Sequence, residues 1–88
     1  MAAPGDLRGL GIEPGQRVRF RTRGSRQWRE GRASAVERDG SIGVVDARGS
    51  SRAIPMERIE VRTAGPRGAL RWEPMADVAA RVEQLGLF

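Results

Sequence analysis

The sequence predicts a mainly β domain: a small five-stranded antiparallel barrel followed by a short C-terminal α-helix. Three observations predict it. Val18, Phe20 and Thr22 alternate with Arg17, Arg19, Arg21 and Arg23, the period-two pattern of a half-buried strand. Turn signals at Asp39-Gly40 and around Arg48-Gly49 then cut the chain into short runs. From Pro74 onward the period changes, with Met75, Val78, Val82 and Leu85 forming a narrow apolar stripe at helical spacing.

Each element follows from local chemistry. Residues 1–14, rich in Gly and Pro, have no periodicity and read as a flexible arm. Residues 15–63 hold the barrel. "GQRVRFRTRG" is its first strand, and "GSRQ" is a loop. "WREGRASAVERDG" is the second strand, with a bulge or bend expected at Gly31 and a type I′ turn at Asp39-Gly40. "SIGVVDA" is the third, with Ile42 and Val44 inward. "RAIP" is a short fourth, stopped by Pro55. "MER" suits one turn of 3₁₀ helix, and "IEVR" a fifth strand with Ile59 and Val61 inward. The expected core is therefore Val18, Phe20, Ile42, Val44, Ile54, Ile59 and Val61. Residues 64–73, with Gly65, Pro66 and Gly68, read as a linker, in which Trp72 is expected to clamp the helix onto the barrel. Residues 74–88 form the helix and tail, with Pro74 at the first helical position and Gly86 as the stop.

Composition limits the chemistry. The chain has 88 residues, with no Cys and no His, which removes disulfides, thiolate sites and the commonest metal ligand and general base. Lys and Tyr are absent too, and the carboxylates show no pairing pattern, so neither a catalytic role nor a cofactor is expected. No apolar run approaches membrane-spanning length and the first residues have no leader pattern. The expected location is the cytoplasm, on the nucleoid when bound.

The net charge of +5 is unevenly placed. Residues 16–29 carry six Arg and no acid, a local field that favours polyanions. Arg17, Arg19, Arg21 and Arg23 recur about 7 Å apart on one strand face. Arg26, Arg29 and Arg32 lie nearby, and Trp28 offers a stacking surface. Together they read as a sequence-tolerant nucleic-acid contact. The competing reading is a solvated face that pairs with Glu30, Glu37 and Glu60 across the sheet. Two tryptophans are too few for an aromatic cage around a methylated side chain.

The runs "GQRVRFR", "REGRASAVERDGSIGVVDARG" and "IPMERIEV" resemble the SH3-like barrels of the Tudor type over residues 15–62. That resemblance implies a fold and is almost silent on function. The last five residues, "QLGLF", resemble the bacterial sliding-clamp-binding motif. The resemblance implies that Gln84 hydrogen-bonds at the polar side of a pocket on the clamp. Leu85 fills a shallow subsite, and Leu87 and Phe88 fill the deep apolar one. Gly86 departs from the usual serine or aspartate. The expected role is a non-enzymatic adaptor in DNA replication or repair. Its tail holds the DNA polymerase sliding clamp, while the barrel holds DNA or a second protein such as a polymerase or other repair protein. The alternatives are a plain nucleic-acid-binding module, or a protein-interaction module for RNA polymerase or a helicase, with the tail packed as core.

Overall fold

Strand alternation builds a sheet one strand larger than the sequence predicts. The computed structural model describes residues 6–84, the Glu83 side chain excepted. It contains β1 (Arg17–Phe20), β2 (Arg29–Val36), β3 (Ile42–Asp46), β4 (Ser51–Ile54), β5 (Ile59–Ala64) and β6 (Leu70–Pro74), followed by α1 (Met75–Gln84). Every pairing is antiparallel, in the order β4-β3-β2-β1-β5-β6. The sheet is not closed: β4 and β6 are its two edges. The fold is thus mainly β, with six strands in one open sheet and one helix.

Two expectations are corrected here. The segment 64–73 is not a linker. Gly65 N–H donates to Ala69 C=O at 2.6 Å and Gly68 N–H to Gly65 C=O at 3.0 Å. The chain reverses in that turn, and Leu70–Pro74 runs back along β5 as a sixth strand. Its Gly and Pro mark a hairpin, not a spacer. Nor is the barrel closed by a ring of hydrogen bonds. The inner face is covered instead by apolar lids.

Those lids come from both ends of the chain. Val18, Phe20, Ala33, Ile42, Val44, Ile54, Ile59 and Val61 line the sheet's inner face, and Leu7, Ile12, Met75 and Val78 join the same buried cluster. All seven expected core residues are buried. The expected arm is not an arm over its described residues. Residues 1–5 lie outside the described residues, but Leu7–Leu10 form a 3₁₀ turn capped by Asp6, whose Oδ1 accepts from Arg8 N–H at 3.0 Å. Leu7 and Ile12 are almost fully buried. Gly11 ends the turn at φ +77°, where a Cβ would stand 2.6 Å from Val82 Cγ2. Only glycine combines that φ with so close an approach to α1.

Register is set by the turns. Glu37 N–H donates to Ser41 C=O at 2.8 Å, Gly40 N–H to Glu37 C=O at 3.0 Å, and Gly40 has φ +87°. Asp39 does not have positive φ, so this is a three-residue hairpin with a glycine bulge and not the expected type I′ turn. Asp46–Ser50 repeats the geometry with Gly49 at φ +84°. Asp39 accepts from the Ser41 hydroxyl and then its N–H, and Asp46 chiefly from the Ser50 N–H, which holds both carboxyls below the usual carboxylate range. The bulge in β2 falls between Ala33 and Ala35, not at Gly31. Gly31 serves close packing: a Cβ there would meet Val45 C=O at 2.6 Å and Val44 Cγ1 at 2.8 Å.

The helix is pinned by packing and charge. Met75 and Val78 are buried and Val82 is half-buried, as the stripe predicts; Leu85 lies outside the described residues. Glu73 on β6 accepts from Arg81 at 2.7 Å and from Arg71 at 2.6 Å. The Arg81 hydrogen bond, then the Arg71 and Arg81 charges, pull the Glu73 carboxyl down to about 2. Trp72 has no part in clamping the helix. It is opposite Arg62 and projects from the other face of the sheet.

Candidate functional site

The outer face of β1, β5 and β6, with the start of β2, gathers cations and both tryptophans. Alternation forces this. Val18 and Phe20 point inward on β1 and Ile59 and Val61 inward on β5, so Arg17, Arg19, Glu60 and Arg62 point outward. On β6 the partner of Arg62 is Trp72.

Two rows cross this face, and they differ. In the first, Arg19 stands opposite Glu30 on β2 and Glu60 on β5. Arg19 Nε donates to Glu60 Oε1 at 2.7 Å, and Nη2 donates to the same oxygen. That row is charge-compensated. In the second, Arg17 stands opposite Arg32 on β2. The β1–β5 register ends at Val18–Val61, and Arg62 is the next residue of β5, outward like Arg17. Arg32, Arg17 and Arg62 thus share the outer face of three neighbouring strands. Among the described residues none of the three forms an ion pair. Like charges directly opposite in a sheet cost stability. Arg32 Nη1 donates to Gly15 C=O at 3.0 Å, and Gln16 Nε2 to Arg62 C=O at 3.0 Å, which fixes the row's backbone and one of its side chains.

The indoles hold guanidiniums. Arg19 Cζ lies 4.2 Å from the Trp28 ring centre and 4.9 Å from that of Trp72. Arg21 lies 4.0 Å from Trp28, and Arg62 5.1 Å from Trp72. The five side chains form one stack across the sheet: Arg21, Trp28, Arg19, Trp72, Arg62. Such cation–π contacts are worth about 0.5–1 kcal/mol each when exposed.

The sequence-predicted residues therefore divide. Arg17, Arg19, Arg21, Arg32 and Trp28 come together on this face. Arg23 and Arg26 do not extend the row, because β1 ends at Phe20 and the chain turns, Ser25 N–H donating to Thr22 C=O at 3.0 Å. Arg29 stands opposite inward-facing Phe20 and lies by the β3–β4 hairpin near Asp46 and Arg52. Arg62 and Trp72 are members that sequence reasoning missed. The signal for Arg62 was present, since Ile59 and Val61 inward put it outward; the signal for Trp72 needed β6. Of the tail residues, Gln84 ends α1 with its side chain exposed, while Leu85, Leu87 and Phe88 lie outside the described residues. Among the described residues no acidic cluster is placed to hold a metal ion, and no helix is long and apolar enough to cross a membrane.

Compared with protein-family models, with curated proteins and with solved structures, the chain matches none.

Proposed function

We propose that this chain is a non-enzymatic adaptor whose outer sheet face binds nucleic acid with little regard to sequence and whose C-terminal QLGLF peptide docks on a bacterial sliding clamp. One observation carries the nucleic-acid reading: Arg32 and Arg17 stand directly opposite, Arg62 follows on the next strand, and among the described residues none of the three forms an ion pair. A sheet that only needed a soluble face would alternate charge there, as the neighbouring Glu30–Arg19–Glu60 row does. An uncompensated row is the kind of local conflict that a polyanion relieves.

The clamp reading rests on residues 84–88 alone. Burying Leu87 and Phe88 contributes about 1.5–3 kcal/mol each, enough for affinity of micromolar order after ordering costs. The role that joins the two sites is one in DNA replication or repair, with the clamp supplying location and the sheet supplying contact to the nucleic acid.

The β1–β4 meander, the return of β5 beside β1 and the 3₁₀ turn before β5 fit an SH3-like scaffold of the Tudor type, extended here by β6. The test is a titration of fluorescent DNA over a range of salt. Arg17→Ala with Arg62→Ala should weaken binding and reduce the log–log salt slope by about two units. A slope untouched by the pair would leave the row as plain surface.

A further inference from the structure

Resting on the nucleic-acid reading above, we infer that the partner of this face is duplex DNA, held through its phosphates with no base stacked on the protein. The indoles are already taken. Trp28 has guanidiniums at 4.2 and 4.0 Å, and Trp72 at 4.9 and 5.1 Å. Arg19 and Arg21 both lie within cation–π distance of Trp28, so that indole already carries two guanidiniums. Arg19 is further held by Glu60, so the stack is fixed before any ligand arrives. Proteins that hold single strands depend on bases stacking on open aromatic faces. A single strand laid here would have to become ordered without that gain. A duplex is already ordered and presents one charge per about 1.7 Å of its axis.

The free donors fit such a surface. Arginine only donates and phosphate oxygens only accept, so the row matches a phosphate backbone. Neighbouring strands are about 4.8 Å apart, so Arg32 to Arg62 spans about 10 Å, a width between the minor groove of about 6 Å and the major groove of about 12 Å. A rigid row of that breadth can meet phosphates from both strands bordering a groove.

The experiment compares a 20-base-pair DNA duplex with each of its separated strands, by anisotropy at low salt and by intrinsic indole fluorescence. The expected result is duplex binding at least about tenfold tighter. It should be indifferent to base sequence, with indole emission nearly unchanged. Arg21→Ala takes one of the two guanidiniums off Trp28 and should narrow the preference for the duplex by opening the indole to a base. Single strands that bind as tightly as the duplex and quench the indoles would overturn this inference while leaving nucleic-acid binding intact. Failure of both DNAs to bind at low salt would overturn the nucleic-acid reading itself, and this inference with it.

Discussion

Phe20 has no exposed surface and sits where β1 pairs with both β2 and β5. Removing its ring leaves a cavity that strands hydrogen-bonded on both sides cannot collapse to fill. Phe20→Ala should cost about 3–5 kcal/mol, most of what so small a domain has, and calorimetry should find little or no cooperative melt. Arg67 makes the opposite case. It has φ +66° in the Gly65–Gly68 turn, a left-handed position that favours glycine. Arg67→Gly should stabilise the protein by about 1 kcal/mol, read as a raised Tm, and an unchanged or lowered Tm would count against the turn described. At this scale the buried side chains of the strands were legible, because alternation separates Phe20 from Arg19 without any tertiary information, whereas Leu7 and Ile12, in a segment without periodicity, were not. Arg67 was not, since the pattern Gly-Pro-Arg-Gly fits a flexible spacer as well as a tight turn.

Between elements, α1 is tied to β6 by Glu73, whose carboxylate receives Arg81 at 2.7 Å and Arg71 at 2.6 Å. Its pKa is pulled from 4.5 down to about 2, chiefly by the Arg81 hydrogen bond, so the carboxyl is a stronger acid in the folded protein than in the unfolded chain. Its contribution is therefore complete above the unfolded pKa and fades as pH falls from 4.5 through about 2. Glu73→Gln should lower Tm at neutral pH by about 2–5 °C, a modest loss because both arginines are half-exposed. Melts of parent and variant should converge as pH approaches 2. A gap that persists there would mean that the bridge is not what the substitution removed. The helix was legible from its stripe and Gln84 falls at its end, but the strand that anchors it was hidden. Leu70, Trp72 and Pro74 do alternate with Arg71 and Glu73, yet a five-residue alternation between glycines and a helix has no local feature to say that it pairs with β5.

Across the whole molecule, the two proposed contacts are separable. The arginine row belongs to β2, β1 and β5, whereas the QLGLF peptide begins at the end of α1. Leu87→Ala or Phe88→Ala should each weaken binding to purified clamp by about tenfold or more and leave the DNA salt slope unchanged. Calorimetric titration with clamp, beside the DNA titration, separates the two. If Phe88→Ala instead lowers Tm by several degrees and the parent gives no heat with clamp, the tail belongs to the core.

The sequence by itself determined the strands from β1 to β5, the 3₁₀ turn before β5, the helix and the seven expected inward residues of the strands, because each of those is a periodicity or turn preference spanning fewer than about ten residues. It also placed Arg17, Arg19 and Arg21 on the face away from the core. Only the tertiary structure decided which charges on that face are spent. Arg19 meets Glu60 across 41 positions of sequence, and Trp72 comes to rest against it from the far edge of the sheet. Arg17 and Arg32 face each other through the register of β1 on β2, which runs without a shift from Arg17–Arg32 to Phe20–Arg29. A single strand reveals which face a side chain takes; which neighbour it finds there is fixed by the pairing of strands distant in the chain.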